Sequence, residues 1–520
     1  MLSCVPTTSK AKASHVRQRF INPNVVPLED VSAAIGQLAR EAEVSLEYPA
    51  EAVADAEAAP REFPHLPDRR DIPLVTIDPE GSRDLDQAVY IEFSHDAVRA
   101  GSDAAPTCVV YYAIAALNMF VKPGSTLDDE VRRRATTIYL PDRSIPLHPE
   151  VLSTDAASLL PGEDRPAYLW RFELDDRGEV TTTDLELVRV RSRAQLTYTQ
   201  VQAVYDGEEQ LPVNVPTDLA EALARFGRLR QVLEEERGGV SLNLPEQRGA
   251  RDADGFHLEF RQLTDVEGWN SQLSLMTGME AAKIMIRANV GLLRTLPPAR
   301  EKDVEQLRGV ALALGLVWPA ELDYPAFLRE LNPAHPAALA FMNEAASLFR
   351  GAGYLALPVA DGQAGDPEHG ADVSLEHSAI AAPYAHVTAP LRRLVDRFGL
   401  ETCRSVMTGE PMPTWVMTSL AELPALMSAG AHRASKLERD AMSLVESLTL
   451  RGREGEEFDA VVVDSLKPRK DDPAGMERGR IAIFDPALEV EAVGARVPAG
   501  TKVRVRLTNE SEGPHFSVVE

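Results

Sequence analysis

The chain has 520 residues, a formal net charge of −26, 44% hydrophobic and 26% charged residues. That length calls for two to four domains, and that composition excludes a disordered or fibrous chain. The acidic balance argues against coating nucleic acid by bulk attraction, yet it leaves room for a local basic channel and for carboxylates that hold a divalent metal. Cys4, Cys108 and Cys403 lie far apart with no CxxC pair, so neither a disulfide framework nor a cysteine-built zinc site is supported. The longest apolar run, Gly309 to Ala320, is too short to cross a bilayer, and no apolar segment follows the basic N-terminus as a signal would require. A cytoplasmic, monomeric protein with no membrane partner is expected.

Three regions follow in chain order. Residues 1–70 read as an atypical N-terminal region, a basic tail over the first 28 residues and then two short helices, LEDVSAAIGQLAREAE and AEAVADAEAA, with no cold-shock pattern. Residues 71–450 begin with strand signals: IPLVTI, QAVYIEF, TCVVYYAIA, YLWRFEL and EVTTTDLELVRV. They turn mainly helical with PTDLAEALARFGRLRQVLEEERGG, the buried-type WNSQLSLMTGMEAAKIMIRANVGLL, TAPLRRLVDRFGLETCRSVM and SLAELPALMSAGAHRASKLERDAMSLVESLTL. Asp361–Ser374 is turn-rich and reads as an exposed loop. Residues 451–520 carry five short strand candidates separated by Gly, Pro and Asn, which fits an OB-type barrel or another small barrel with a structural role.

The informative stretch is TIDPEGSRDLDQAV, Thr76 to Val89. Asp78 ends an apolar strand, PEGS supplies a turn, and Asp84 and Asp86 stand two residues apart, so in extended backbone they share a face. Clustered carboxylates repel unless a cation neutralises them, and all-oxygen ligation suits Mg²⁺ or Mn²⁺. A calcium loop fails, because Arg83 stands where Gly is needed and Val89 where Glu is needed. An ordinary acidic surface turn stays open on spacing alone.

The same segment resembles the signature of the ribonuclease II/ribonuclease R (RNB) family of exoribonucleases, in which an Asp after Thr-Ile is followed by Asp-x-Asp-Asp. The segment from Ala116 to Ser153, VRSRAQLTYTQV, YAHVTAPLRRLVD from Tyr384 and KLERD around Glu438 are similar to further family segments in the same order. The fold this implies is α+β: an RNB-type catalytic domain of mixed sheet and helices over 71–450, an OB-fold RNA-binding barrel over 451–520, and the small helical N-terminal region.

By that resemblance Asp78, Asp84, Asp86 and Gln87 form the metal site for Mg²⁺, with Mn²⁺ as an alternative, and Asp86 is tied most directly to chemistry. Arg392 binds the scissile phosphate, Tyr139 stacks on the 3′-terminal base, and Tyr198 and Glu438 position RNA. The implied reaction is 3′-to-5′ hydrolysis of single-stranded RNA to nucleoside 5′-monophosphates. Taken singly, Tyr139 and Tyr198 read as core or strand aromatics, Arg392 and Arg393 as a solvated face, and His377 and His386 as structural residues outside the site. Three positions depart from the family pattern: Gln87 replaces the fourth Asp, Leu244 a clamping Phe, and Ser274 a Glu of the buried helix. The rival readings are an RNA-binding protein on the same scaffold with little or no turnover, and an acidic metal-binding or protein-interaction scaffold.

Overall fold

The computed structural model describes residues 26–94, 107–251 except 243 and 245, 255–349 except 333 and 334, 351–359, 374–466, 476–510 except 495, 496, 498 and 499, and 513–519. The basic tail up to residue 25, and the loop read at Asp361–Ser374 except its last residue, lie outside the described residues.

Two helices, α1 (Leu28–Glu41) and α2 (Ala50–Glu57), precede β1 (Thr76–Asp78), β2 (Gln87–Phe93) and β3 (Cys108–Ala115). Next come α3 (Thr126–Arg134), β4 (Ile138–Tyr139), β5 (Ser144–Ile145), β6 (Asp164–Leu174), β7 (Val180–Arg191) and β8 (Gln195–Thr197). Strands β2, β3, β6 and β7 form an antiparallel sheet in sequence order, while β1 pairs in parallel with β8 beside it. Side chains alternate across a sheet. Tyr112, Trp170 and Phe172 accordingly enter one core with the helices that follow, while Ala113, Ala167 and Leu169 enter another with Ala52 and Ala56 of α2.

The helical half opens with α4 (Tyr198–Tyr205) and α5 (Leu219–Glu236), then the hairpin β9 (Glu246–Arg251) and β10 (Phe256–Arg261), then α6 (Asp265–Ala288). A capping box of Thr264 and Glu267 starts α6, and Asn289 in the left-handed region ends it. Helix α6 is apolar on most sides and is held against α5 at Gly227, where an added Cβ would come within 2.3 Å of Trp269. Then follow β11 (Gly291–Thr295), α7 (Glu301–Ala313), α8 (Tyr324–Glu330), α9 (Pro336–Ala345), β12 (Gly353–Leu357), β13 (Glu376–His377) and β14 (Ala382–Pro383).

The body ends with α10 (Leu394–Thr408), α11 (Thr414–Met417) and the long α12 (Leu423–Thr449). Helix α10 begins six residues later than the Thr388 start read from sequence. Pro390 lies in that stretch, and its backbone groups bond outside a helix: Ala389 N–H to Asp396 and Leu391 N–H to Asp86. Helix α12 starts four residues later than expected, with Pro424 in its first turn.

The C-terminal strands β15 (Glu457–Leu466), β16 (Glu477–Phe484), β17 (Ala487–Gly494), β18 (Lys502–Glu510) and β19 (Gly513–Val518) close into a barrel in the order β15-β16-β17-β19-β18. The barrel is not an isolated bead. Phe458, Ile481, Leu488 and Phe516 belong to one apolar cluster with Leu437, Ala441 and Val445 of α12, Phe256 and Leu258 of β10, and Val31, Ile35 and Ala39 of α1.

Candidate active site

Asp78 is the last residue of β1, and the parallel register sets it opposite Thr197. Thr197 caps α4 through a capping box with Gln200, so Tyr198 stands at the first position of that helix, beside Asp78. Asp84 and Asp86 flank Leu85, which is fully buried and held by its N–H to Ser158 Oγ at 3.0 Å. Leu85 turns into the core, so its two neighbours turn the other way, as the two-residue spacing predicts.

Asp86 is 6% exposed. Its Oδ1 accepts the Leu391 N–H at 2.7 Å and its Oδ2 lies 3.9 Å from Arg392 Nε. The arginine loop, residues 384–393, is tied down elsewhere as well. Arg393 donates to both oxygens of Asp396, at 2.9 and 2.8 Å, and Asp396 Oδ1 also accepts the Ala389 N–H. Thr137 N–H and Thr136 Oγ1 each donate to the Arg392 carbonyl at 3.0 Å. Arg392 thus has a fixed backbone and a half-exposed side chain. Its neighbour Arg393 is consumed in structure.

The segment that grips Arg392, Thr136 and Thr137, leads directly into β4 and Tyr139. Its side chain is 48% exposed, and its N–H donates to Glu438 Oε1 of α12 at 3.0 Å. Glu438 therefore steadies the backbone under the tyrosine. The phenol of Tyr198 accepts from Asn270 Nδ2 of α6 at 3.3 Å.

The electrostatics match the crowding. Burial, then the charge of Asp84, pushes the Asp78 carboxyl up to about 7, while Arg392 opposes the rise. Burial likewise raises Asp84, and it raises Asp86 well above the ordinary carboxylate range against the pull of Arg392 and the Leu391 N–H. Asp78 Oδ2 is buried with no hydrogen-bond partner. Hard oxygen donors, mutual repulsion and an orphaned carboxylate oxygen suit a small divalent cation. Among the described residues, however, no three His, Cys, Asp or Glu side chains are drawn together closely enough to hold an ion as they stand. The donor set fits such an ion in its chemistry.

Gln87, at the start of β2, is placed differently from a simple ligand. Its Nε2 donates to the Thr388 carbonyl at 2.6 Å, and its Oε1 accepts from the Tyr112 phenol. Tyr112 in turn contacts Ser274 Oγ at 3.1 Å. Two of the three positions that depart from the family pattern are therefore joined by one tyrosine. The third, Leu244, packs against the apolar cluster of α7, α8 and α9 that contains Phe327 and Phe341. His386 is partly buried with Nδ1 2.7 Å from Tyr354 OH, and desolvation with the nearby Arg393, Arg294 and Arg392 holds its ring well below the ordinary range.

Sequence reading missed Tyr112, Thr388, Asn270 and Gly278. Asn270, Ser274 and Gly278 are four residues apart on α6 and make one stripe, each facing a tyrosine: Tyr198, Tyr112 and Tyr384. At Gly278 an added Cβ would come within 2.1 Å of the Tyr384 ring. A small or polar residue recurring every fourth place in an otherwise apolar helix was the available signal.

The RNB domain family matches residues 67–399, and the RNase II-type exonuclease C-terminal S1 domain matches residues 456–509. The chain belongs to the RNB family. It is similar to ribonuclease R of Aquifex aeolicus, with 26% identity over 82% of this chain and 60% of that protein. It is also similar to ribonuclease R of Escherichia coli, with 30% identity over 63% of this chain and 39% of that protein. The chain thus spans 60% or less of the length of these relatives. Among solved structures, Mycoplasma genitalium RNase R in complex with ribose-methylated single-stranded RNA shares the fold at a TM-score of 0.79 and 18% identity, covering 94% of this chain and 78% of that one. Yeast Ssd1, a pseudonuclease, shares it at a TM-score of 0.64 and 14% identity, covering 89% of this chain and 56% of that one.

Proposed function

We propose that this protein is a metal-dependent 3′-to-5′ exoribonuclease that hydrolyses single-stranded RNA to nucleoside 5′-monophosphates, working as a cytoplasmic monomer. The observation that carries the reading is the buried Asp86, which holds the Leu391 N–H with one oxygen and faces the half-exposed Arg392 at 3.9 Å with the other, with Asp78, Asp84, Tyr139 and Tyr198 nearby. Asp78, Asp84 and Asp86 would hold Mg²⁺ or Mn²⁺, which lowers the pKa of a bound water and offsets charge at the reacting phosphate.

The remaining work belongs to the chain itself. Arg392 presents a fork of N–H donors to the scissile phosphate from a loop whose backbone is already fixed, so little reorganisation is needed as charge develops. Tyr139 offers an exposed ring to the terminal base, and a ring face accepts any base. Tyr198 beside Asp78 and Glu438 under Tyr139 set the nucleotide's position relative to the carboxylates.

A second reading has its own support, since the same fold occurs in a protein described as a pseudonuclease. It makes this chain an RNA binder with little turnover. The Asp86–Arg392 pairing favours the enzyme, because binding alone has no need of a buried carboxylate held against the phosphate-binding arginine. The deciding experiment incubates the purified chain with 5′-labelled single-stranded RNA, with Mg²⁺ or with EDTA. A ladder of shortening products that disappears in EDTA is expected. Internal cleavage of circular RNA, or equal loss of DNA, contradicts the mechanism; binding without products establishes the second reading.

A further inference from the structure

The polar ends of Gln87 are both engaged, and the direction of each bond follows from its partner. The Thr388 carbonyl can only accept, so the amide end that faces it is the NH₂ group, and the oxygen faces Tyr112. The Tyr112 phenol has one hydrogen and donates it to that oxygen. The 3.1 Å contact with Ser274 is therefore donated by the serine. A single directed chain results: Ser274 O–H to Tyr112, Tyr112 O–H to Gln87, Gln87 N–H to Thr388. Thr388 lies four residues before Arg392, and the adjacent Asp86 holds Leu391 in the same loop.

We propose that Gln87 is a positioning residue that, oriented by Tyr112 and Ser274, fastens the arginine loop to β2, and that it is not a ligand of the metal. A carboxylate at position 87 offers no hydrogen to Thr388, and its charge would face a carbonyl oxygen. The amide is required for this contact. Asp86 and Gln87 then act as a pair of adjacent anchors, one taking an N–H from the loop and the other giving an N–H to it, so that Arg392 is set against the carboxylates from two points. The metal is left to Asp78, Asp84 and Asp86. This inference rests on the proposed nuclease reading for its kinetic consequence, but its structural content can be tested without turnover.

The test uses the full chain with Gln87→Met, which keeps length and removes both hydrogen bonds, Tyr112→Phe, which removes the orienting phenol, and Ser274→Ala as the mildest break. Mn²⁺ affinity is measured by calorimetry without RNA, loop protection by hydrogen exchange of peptides covering residues 384–393, and kcat at saturating Mn²⁺ and RNA. Positioning predicts Mn²⁺ affinity within about twofold of the parent in all three variants, since the ligands are untouched. It predicts faster exchange in the loop peptides and a kcat reduced by about 10- to 100-fold in Gln87→Met, the scale of a small misplacement of a catalytic group. Tyr112→Phe added to Gln87→Met should cause no further loss, because the two act as one unit.

Weakening of Mn²⁺ binding by about tenfold or more in Gln87→Met, with kcat restored by excess Mn²⁺, would make Gln87 a ligand and overturn the proposal. Unchanged loop exchange in Gln87→Met and Tyr112→Phe overturns it equally. If Gln87→Met does not fold, Tyr112→Phe and Ser274→Ala give the same exchange reading. A parent that hydrolyses no RNA counts against the nuclease reading alone, and loop exchange still decides this one.

Discussion

Asp86 and Leu391 stand 305 residues apart in sequence, yet the carboxylate of one accepts the backbone N–H of the other at 2.7 Å. One oxygen of Asp86 thereby anchors the loop that carries Arg392, while the other faces the arginine itself. Asn at this position retains an acceptor for Leu391 and removes the charge. Asp86→Asn is expected to lower turnover by orders of magnitude while RNA binding persists. Single-turnover cleavage and fluorescence anisotropy on the same RNA check this. Near-parental turnover would remove Asp86 from the chemistry.

Tyr139 is half exposed, so removing its ring should cost binding and not folding. In the Asp86→Asn background, Tyr139→Ala should weaken a short single-stranded RNA by about 1–3 kcal/mol, the worth of one base–aromatic stack. Tyr139→Trp should restore most of it. Equal affinity of all three proteins would show that the ring meets no base.

Ile35 of α1 is fully buried in the cluster shared with α12 and the barrel. Ile35→Ala should lower stability by about 2–4 kcal/mol in urea unfolding, because a buried methyl-bearing chain is replaced by a cavity. Val232, 53% exposed, is the control, with a change of about 0.5 kcal/mol or less on the same truncation. Comparable effects at the two positions would mean that α1 does not share the core.

Glu446 near the end of α12 accepts from Gln247 Nε2 of β9 at 3.0 Å and from the Glu489 N–H of β17 at 3.1 Å, joining helix, hairpin and barrel. Burial raises its pKa from 4.5 to about 7, against those two hydrogen bonds, and Glu489 nearby adds to the rise. The folded carboxyl keeps its proton to higher pH than the unfolded one. The folded state therefore binds more protons between those values, and its advantage, fully present below about 4.5, is lost as pH rises through about 7. Glu446→Gln keeps the acceptor without the charge. Relative to the parent it should gain stability between pH 5 and pH 8, by up to about 3 kcal/mol. Thermal unfolding at both pH values measures this, and a difference that does not change with pH contradicts it.

Much of this architecture was legible because it rests on local pattern. The central strands read by their β-branched and aromatic residues between turn formers, α5 by its closing Gly pair, α6 by its apolar sides, and the barrel strands by the Gly, Pro and Asn between them. Helix starts were misplaced at Thr388 and Ser419, where prolines and long-range hydrogen bonds override local propensity. The hairpin β9–β10 was not read, for its packing partners lie far along the chain, and neither were the helices α7 to α9, which pack chiefly on one another. In the site, spacing alone left Asp78, Asp84 and Asp86 open to being an ordinary acidic turn, and the resemblance to the family signature was what singled them out. The setting of Gln87 was not legible, because it depends on Tyr112, 25 residues away, and on Thr388, 301 residues away.

The parallel pairing of β1 with β8 carries a last consequence. It sets Asp78 opposite Thr197 by backbone register, so the spacing between Asp78 and Tyr198, the residue after Thr197, is held by the main chain itself. A slip of one residue in β1 would turn the Asp78 side chain to the opposite face while Tyr198 stayed where it is. An insertion or deletion within either strand would shift that spacing by a whole residue, which makes these two short strands the ruler that sets Asp78 against Tyr198.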